Sequence, residues 1–297
     1  MTVYHALFEP FVNYGFMRRA LVACLALALG CGPIGALLVL RRMSLMGDAM
    51  SHAILPGAAI AFLVAGLSLP AMAFGGLAAG LCVALLAGIV SQTTHLKEDA
   101  SLAGFYLTSL ALGVLIVSAR GSNVDLLHVL FGTILSVDTA ALVLVAAITS
   151  ITLLVLAIIY RPLIVECFDP GFLKAVGGGG PVYHVVFLTL VVLNLVAGFQ
   201  SLGTLMAVGL MMLPAAAARL WARDVWGLFW TASLIAFLSG YIGLLASYHF
   251  NTASGPSIIL TAGIAYLGSI VLGRNGGIIQ RYFPQPHYHN PSPEHSH

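Results

Sequence analysis

The chain of 297 residues is 60% hydrophobic and only 7% charged, with a formal net charge of +2. A soluble domain averages about 25% charged residues, so this composition excludes a water-covered surface of ordinary size. The near-neutral balance argues neither for nucleic acid nor for an acidic partner, and the natural solvent is lipid.

A helix crossing a bilayer needs ~20 mostly apolar residues. Backbone groups in lipid must bond internally, so helices are the expected element. Candidate spans follow in order at 20–40, 50–66, 69–91, 101–119, 139–160, 182–200, 202–218, 227–248 and 257–273, nine in all. The second and seventh are short and carry Pro or Gly. The division at Gln200 to Gly203 is the weakest, which leaves eight spans as the alternative. The first run is longer than the ~7–15 residues of a signal-peptide core. Arg41 and Arg42 follow it in place of a small-residue cleavage site, so it is read as a retained helix.

Lys and Arg mark the cytoplasmic side. With an odd number of spans and the N-terminus outside, Arg41, Arg42, Lys97, Arg161, Lys174, Arg219, Arg223, Arg274 and Arg281 face the cytoplasm. Arg18, Arg19 and Arg120 face out. The expected organisation is an extracytoplasmic segment 1–19, a transmembrane domain 20–273 and a cytoplasmic His/Pro-rich tail 274–297 expected to be disordered.

Two stretches are not read as spans. The segment 121–138 is expected to be an outer loop with a surface or re-entrant helix. The segment 161–181 is expected to be a cytoplasmic linker with a short helix starting after Asp169. Its four consecutive glycines form a flexible joint, not a phosphate loop, because no Gly-Lys-Ser/Thr follows. With neither a nucleotide signature nor a soluble domain, an energy source and a ligand receptor are expected on other chains. The cysteines Cys24, Cys31, Cys82 and Cys167 form no CxxC and are read as small hydrophobes.

Asp48 is the only acidic residue between Glu9 and Glu98. A charge within a span costs about 2.5–3.5 kcal/mol on insertion scales and tends to mark an ion or substrate path. Asp48 and His52, at i and i+4, share one helix face. A carboxylate with a neutral imidazole suits zinc or manganese. Pro56 and Gly57 interrupt the helix just beyond, and transporters build binding sites at broken helices. The competing reading makes Asp48, or Ser51, a helix N-cap with His52 packed beside it.

Asp125 and His128, three apart on an expected short helix, and His249 in the last outer loop are candidate outer path residues; each alone also reads as a polar surface residue. His5, His95 and His184 read as ordinary loop or interface residues. His287, His289, His295 and His297 lie in a tail whose composition permits loose metal binding. Met43, Met46, Met50, Met206, Met211 and Met212 read as flexible packing rather than a copper(I) path. Between Gly209 and Gly227, an apolar span is expected to end near Pro214. A short helix carrying Ala216, Ala217, Arg219 and Arg223 then follows as a docking turn, the alternative being a plain interfacial helix anchored by Trp221 and Trp226.

The stretches "MSLMGDAMSHAILPGAAIAFL", "DLLHVLFGTIL", "FDPGFLKAVG", "MAVGLMMLPAAAARL" and "SYHFNTASGPSIIL", in that order, resemble the membrane permease of ABC importers of zinc, manganese or iron, the ABC-3 metal permease family. The similarity covers about 15–273. It implies an all-helical type II fold like that of the vitamin B12 importer and a homodimer in a bacterial inner membrane. It also implies a cytoplasmic ABC ATPase, an extracytoplasmic metal-binding protein, and no hydrolysis by the permease itself.

The same resemblance makes Asp48 and His52 path ligands and Pro214 to Asp224 the ATPase-coupling segment. No cofactor is expected to be resident. The transported ion is expected to be Zn2+, with manganese or iron as the alternative. Asn251 departs from the pattern, standing where many relatives carry aspartate. Ala253 stands where they often carry proline, and the four glycines replace a more ordinary helix end. An ATPase-independent secondary transporter using Asp48 is the competing class. An intramembrane enzyme of the HExxH type is excluded by the absence of that motif.

Overall fold

The computed structural model describes residues 7–66, 68–96, 98–119, 138–175 and 179–282. Among them every regular element is a helix: α1 Glu9–Asn13, α2 Gly15–Leu40, α3 Met46–Ala53, α4 Leu55–Ala65, α5 Leu69–Thr93, α6 Glu98–Ala119, α7 Thr139–Phe168, α8 Pro170–Ala175, α9 Gly180–Leu202, α10 Thr204–Ala218, α11 Val225–Phe250, α12 Ser254–Leu272 and α13 Ile278–Tyr282. Proline in the first turn opens α4, α5 and α9, where its missing N–H costs nothing. The carboxylate of Asp138 caps α7 by accepting from the Ala141 N–H at 2.7 Å, and Asp224 caps α11 through the Gly227 N–H at 2.8 Å. Gly203, at φ 96°, closes α9, and Asn251, at φ 51° and ψ 39°, closes α11 in the left-handed region that asparagine tolerates.

Among the described residues eight helical spans are long and apolar enough to cross a membrane, the second being α3 and α4 taken together as Met46–Ala65, at or near eight of the nine expected positions. The seventh expected span is the shorter α10. At about 1.5 Å per residue its 15 residues reach only part of the ~30 Å hydrocarbon depth. The chain doubles back at Gly203, since a Cβ placed on Gly198 would collide with Ala207. The linker expected over 161–181 is shorter than the sequence suggested. Helix α7 continues through Arg161, Pro162 and Glu166 to Phe168, and α8 then starts after Asp169. The segment 121–138 and the tail beyond Tyr282 fall outside the described residues, apart from the cap Asp138.

Helix α2 is the central element, with buried faces against α7, α9, α10 and α11. Small residues permit this: Gly35 lies against the backbone carbonyl of Met211 in α10, and a side chain there would collide with it. Helices α3 to α6 form a second group, joined to the first mainly through α9, with α3 also touching α10. The methionines Met46, Met50, Met206 and Met211 are buried among apolar neighbours, which fits packing.

The ends of the helices sort into two sets. Val39 and Leu40 from the end of α2, Phe168 from the end of α7, the turn after α10 and Tyr266, Ile270 and Asn275 all line one cavity of about 770 Å³. At the opposite end, Tyr14 before α2 meets Tyr248 at the end of α11, with ring centroids 5.7 Å apart. Short as it is, α10 therefore returns the chain to the Arg41 end, as a ninth leg would.

Candidate functional site

Asp48 lies in the first turn of α3 and His52 in its last. The N-cap position belongs to Leu45, which makes no side-chain cap bond. The Ser51 hydroxyl donates to the Asp48 carbonyl at 2.7 Å. Neither polar residue caps the helix, so the capping reading fails. The two functional side chains face each other instead: His52 Nε2 is 3.8 Å from Asp48 Oδ1. That is too far for a hydrogen bond. A cation bonded to both atoms at roughly 2.0–2.2 Å fits between them with a bent geometry.

The surroundings fix the imidazole and leave the carboxylate free. The His52 ring lies nearly parallel to Tyr106 of α6, centroids 6.2 Å apart. Its side chain is 28% exposed, against 63% for Asp48. His52 Nδ1 is buried and has no hydrogen-bond partner among the described residues. Behind the pair, α3 and α4 meet at Ile54. The Ala53 carbonyl accepts from the Ser109 hydroxyl at 3.2 Å. Pro56 has no N–H to offer the helix. Gly57 packs against the Gly75 backbone of α5 with no room for a side chain, and Gly113 of α6 lies against Pro56. The Pro-Gly pair thus serves a close three-helix junction one turn beyond His52, where the backbone stays helical through Ile54 and only the hydrogen bond that Pro56 cannot donate is missing.

Among the described residues no three His, Cys, Asp or Glu side chains converge as a metal site. Asp48 and His52 therefore stand as a pair of candidate ligands. Asp125 and His128 lie outside the described residues. His249 is exposed at the end of α11, its ring edge-on to Tyr248 at 5.4 Å, and does not join the Asp48–His52 pair. Asn251, which departs from the family pattern, is the C-cap of α11.

The coupling segment differs from expectation in a way that matters. Helix α10 does not stop at Pro214; it runs through it to Ala218. Pro214 and Ala217 are buried inside the chain and Ala216 is half-buried. Ala217 is buried, so the expectation that it permits close approach of a partner surface is corrected; Ala216, half-buried, lines the cavity of about 770 Å³ together with Arg219 and Arg223. What the turn presents outward is Arg219, Trp221, Arg223 and Asp224.

Sequence reasoning missed one cluster. Arg41, read only as a loop cation facing the cytoplasm, is buried with Glu166 as an ion pair, their side chains 6% and 8% exposed. Its other guanidinium nitrogens reach His184 Nδ1 and Cys167 Sγ, each at 3.1 Å, and its carbon lies 4.2 Å from the Phe187 ring centroid. Cys167 is accordingly a hydrogen-bond acceptor, and Cys82 is exposed; only Cys24 and Cys31 are the buried hydrophobes expected. Glu166 within a helical apolar run was the available signal.

The ABC 3 transport family matches residues 13–273. The manganese import system permease protein ScaB of Streptococcus parasanguinis is 33% identical over 260 residues, covering 88% of this chain and 91% of its own length. The manganese transport system membrane protein MntC of Halalkalibacterium halodurans is 33% identical over 277 residues, covering 93% and 94%. The solved structure of PsaBC from Streptococcus pneumoniae in complex with Fab superimposes with a TM-score of 0.82 at 30% identity, covering 93% of this chain and 98% of that one. The all-helical fold is thus the type II permease fold implied by the motifs. Multi-pass in the membrane and a transport component rather than a catalyst, the chain belongs to the ABC 3 transport family.

Proposed function

We propose that the chain is the membrane subunit of an ATP-driven importer of a divalent transition metal, and that the metal is manganese. The observation that carries the reading is the Asp48–His52 pair, 3.8 Å apart just before a proline that interrupts the helix's hydrogen bonding, with its carboxylate 63% exposed. Oxygen and imidazole donors suit manganese as well as zinc. The tail histidines, whose imidazoles would suit zinc, lie, in the proposed topology, beyond the path. The manganese in the names of the two relatives supports that metal. Membership in an ABC family favours an ATP-driven device over a secondary transporter.

Two ligands underfill a transition-metal site. A second copy related by a two-fold axis would bring a second carboxylate and a second imidazole, and the exposed Asp48 is free to take part. The chain is then a homodimer in a bacterial inner membrane, N-terminus outside and C-terminus inside. A secreted metal-binding protein delivers the ion, and an ABC ATPase docks on Arg219, Trp221 and Arg223. Arginines there can make bidentate bonds to partner carboxylates. Movement of α10, packed on α2, α3 and α9, carries the stroke from that turn to the metal pair.

The test is competition in vesicles reconstituted with the ATPase and binding protein. ATP-dependent uptake of labelled manganese should be suppressed by unlabelled manganese at lower concentration than by zinc or iron. Stronger suppression by zinc would restore the zinc reading; uptake without ATP would support a secondary transporter.

A further inference from the structure

The turn between α10 and α11 is braced from far along the chain. The backbone N–H of Asn275 donates to the Leu220 carbonyl at 2.9 Å. Its side-chain Nδ2 donates to the Trp221 carbonyl at 3.1 Å, and its Oδ1 accepts from Arg223 Nε at 3.0 Å. A second brace comes from α12, where the Ser269 hydroxyl oxygen accepts from the Trp221 indole N–H at 2.9 Å. Gly273 sits so close to Leu220 that a Cβ would meet its side chain at 2.7 Å and its carbonyl at 3.0 Å. These bonds satisfy carbonyls just past the end of α10, where a helix leaves acceptors without internal donors.

We infer that Asn275 is a positioning residue for ATPase docking. It fixes the Leu220–Arg223 backbone and aims the Arg223 guanidinium outward, so the segment after α12 belongs to the coupling element. The inference rests on the proposal that this turn meets the ATPase. Three features separate it from ordinary loop bonding. One residue uses backbone donor, side-chain donor and side-chain acceptor on a single turn. Its acceptor holds one edge of an exposed cation, leaving other guanidinium N–H groups for a partner. The brace also links the turn to α12, which packs on both α10 and α11, so a push on the turn is shared among three helices.

The experiment uses the full chain in lipid nanodiscs, titrated with the ABC ATPase that co-purifies with it. The readouts are the ATPase concentration giving half-maximal manganese-stimulated hydrolysis, the maximal rate, and the unfolding midpoint of the permease alone. Asn275→Ala removes two side-chain hydrogen bonds and should raise the half-saturating concentration about tenfold, with maximal rate and midpoint unchanged. Asn275→Asp keeps the acceptor for Arg223 and should fall between wild type and Asn275→Ala. Arg219→Glu serves as the control for the turn itself. If Arg219→Glu weakens docking while Asn275→Ala does not, the inference is wrong and the docking reading stands. If neither weakens docking, the docking reading fails and the inference falls with it. If Asn275→Ala lowers the unfolding midpoint together with docking, the residue is a general anchor and the positioning role is overturned.

Discussion

Arg41 and Glu166 meet as a buried ion pair that ties the end of α2 to the end of α7. Taking both charges out of water is costly, and their attraction offsets that cost only while both are present. Arg41→Ala should therefore destabilise the chain by about 3–5 kcal/mol by stranding the Glu166 carboxylate. The double variant Arg41→Met with Glu166→Leu should lose much less. Thermal unfolding in detergent reads both. Equal losses for the single and double variants would show that the helices are held by other contacts.

Asn251 takes the left-handed conformation at the end of α11. Asn251→Gly and Asn251→Asp should leave both stability and uptake close to wild type, because both residues tolerate that conformation. Asn251→Val should cost about 1–2 kcal/mol of stability. A large loss of uptake in Asn251→Gly, with stability intact, would reveal a ligand or binding-protein contact that the cap does not require.

Most spans were legible because long apolar runs bounded by Pro, Gly or Arg have few other solutions in lipid. Asp48 and His52 were legible for a related reason, as a carboxylate and an imidazole at helical spacing stand out where charge is scarce. Four features were hidden. Pro162 suggests an early end to α7, yet the Arg41–Glu166 contact and the packing of α9 carry the helix past it. Pro214 suggests an end to α10, but the close contact with Gly35 of α2 holds the helix through it. Burial of Ala217 depends on neighbours remote in sequence, as does the hold of Asn275 on its turn, and no local pattern announces either.

The close packing of Gly57 against Gly75 makes a sharp prediction. Gly57→Leu should force α4 away from α5, displace the junction one turn beyond His52 and abolish uptake, with folded yield falling as well. Gly88, whose added Cβ meets nothing within 4 Å, is the control, and Gly88→Leu should transport normally. Normal transport by Gly57→Leu would mean that the junction does not set the geometry of the pair.

The histidine tail beyond Tyr282 is proposed to lie on the cytoplasmic side and outside the transport path. Truncation after Phe283 should change uptake little at ample metal. A cysteine at position 285, in a chain otherwise free of cysteine, should resist an impermeant thiol reagent in intact cells. Labelling there would reverse the topology, and loss of most transport on truncation would make the tail a functional site.

The central claim is that metal crosses by way of Asp48 and His52. The most direct measurement is ATP-dependent uptake of labelled manganese into vesicles holding the ATPase and binding protein, with wild type compared to the Asp48→Ala, His52→Ala double variant. The double variant should assemble with its ATPase, unfold at the wild-type temperature and import essentially no manganese. Near-normal uptake by that stable double variant would contradict the claim.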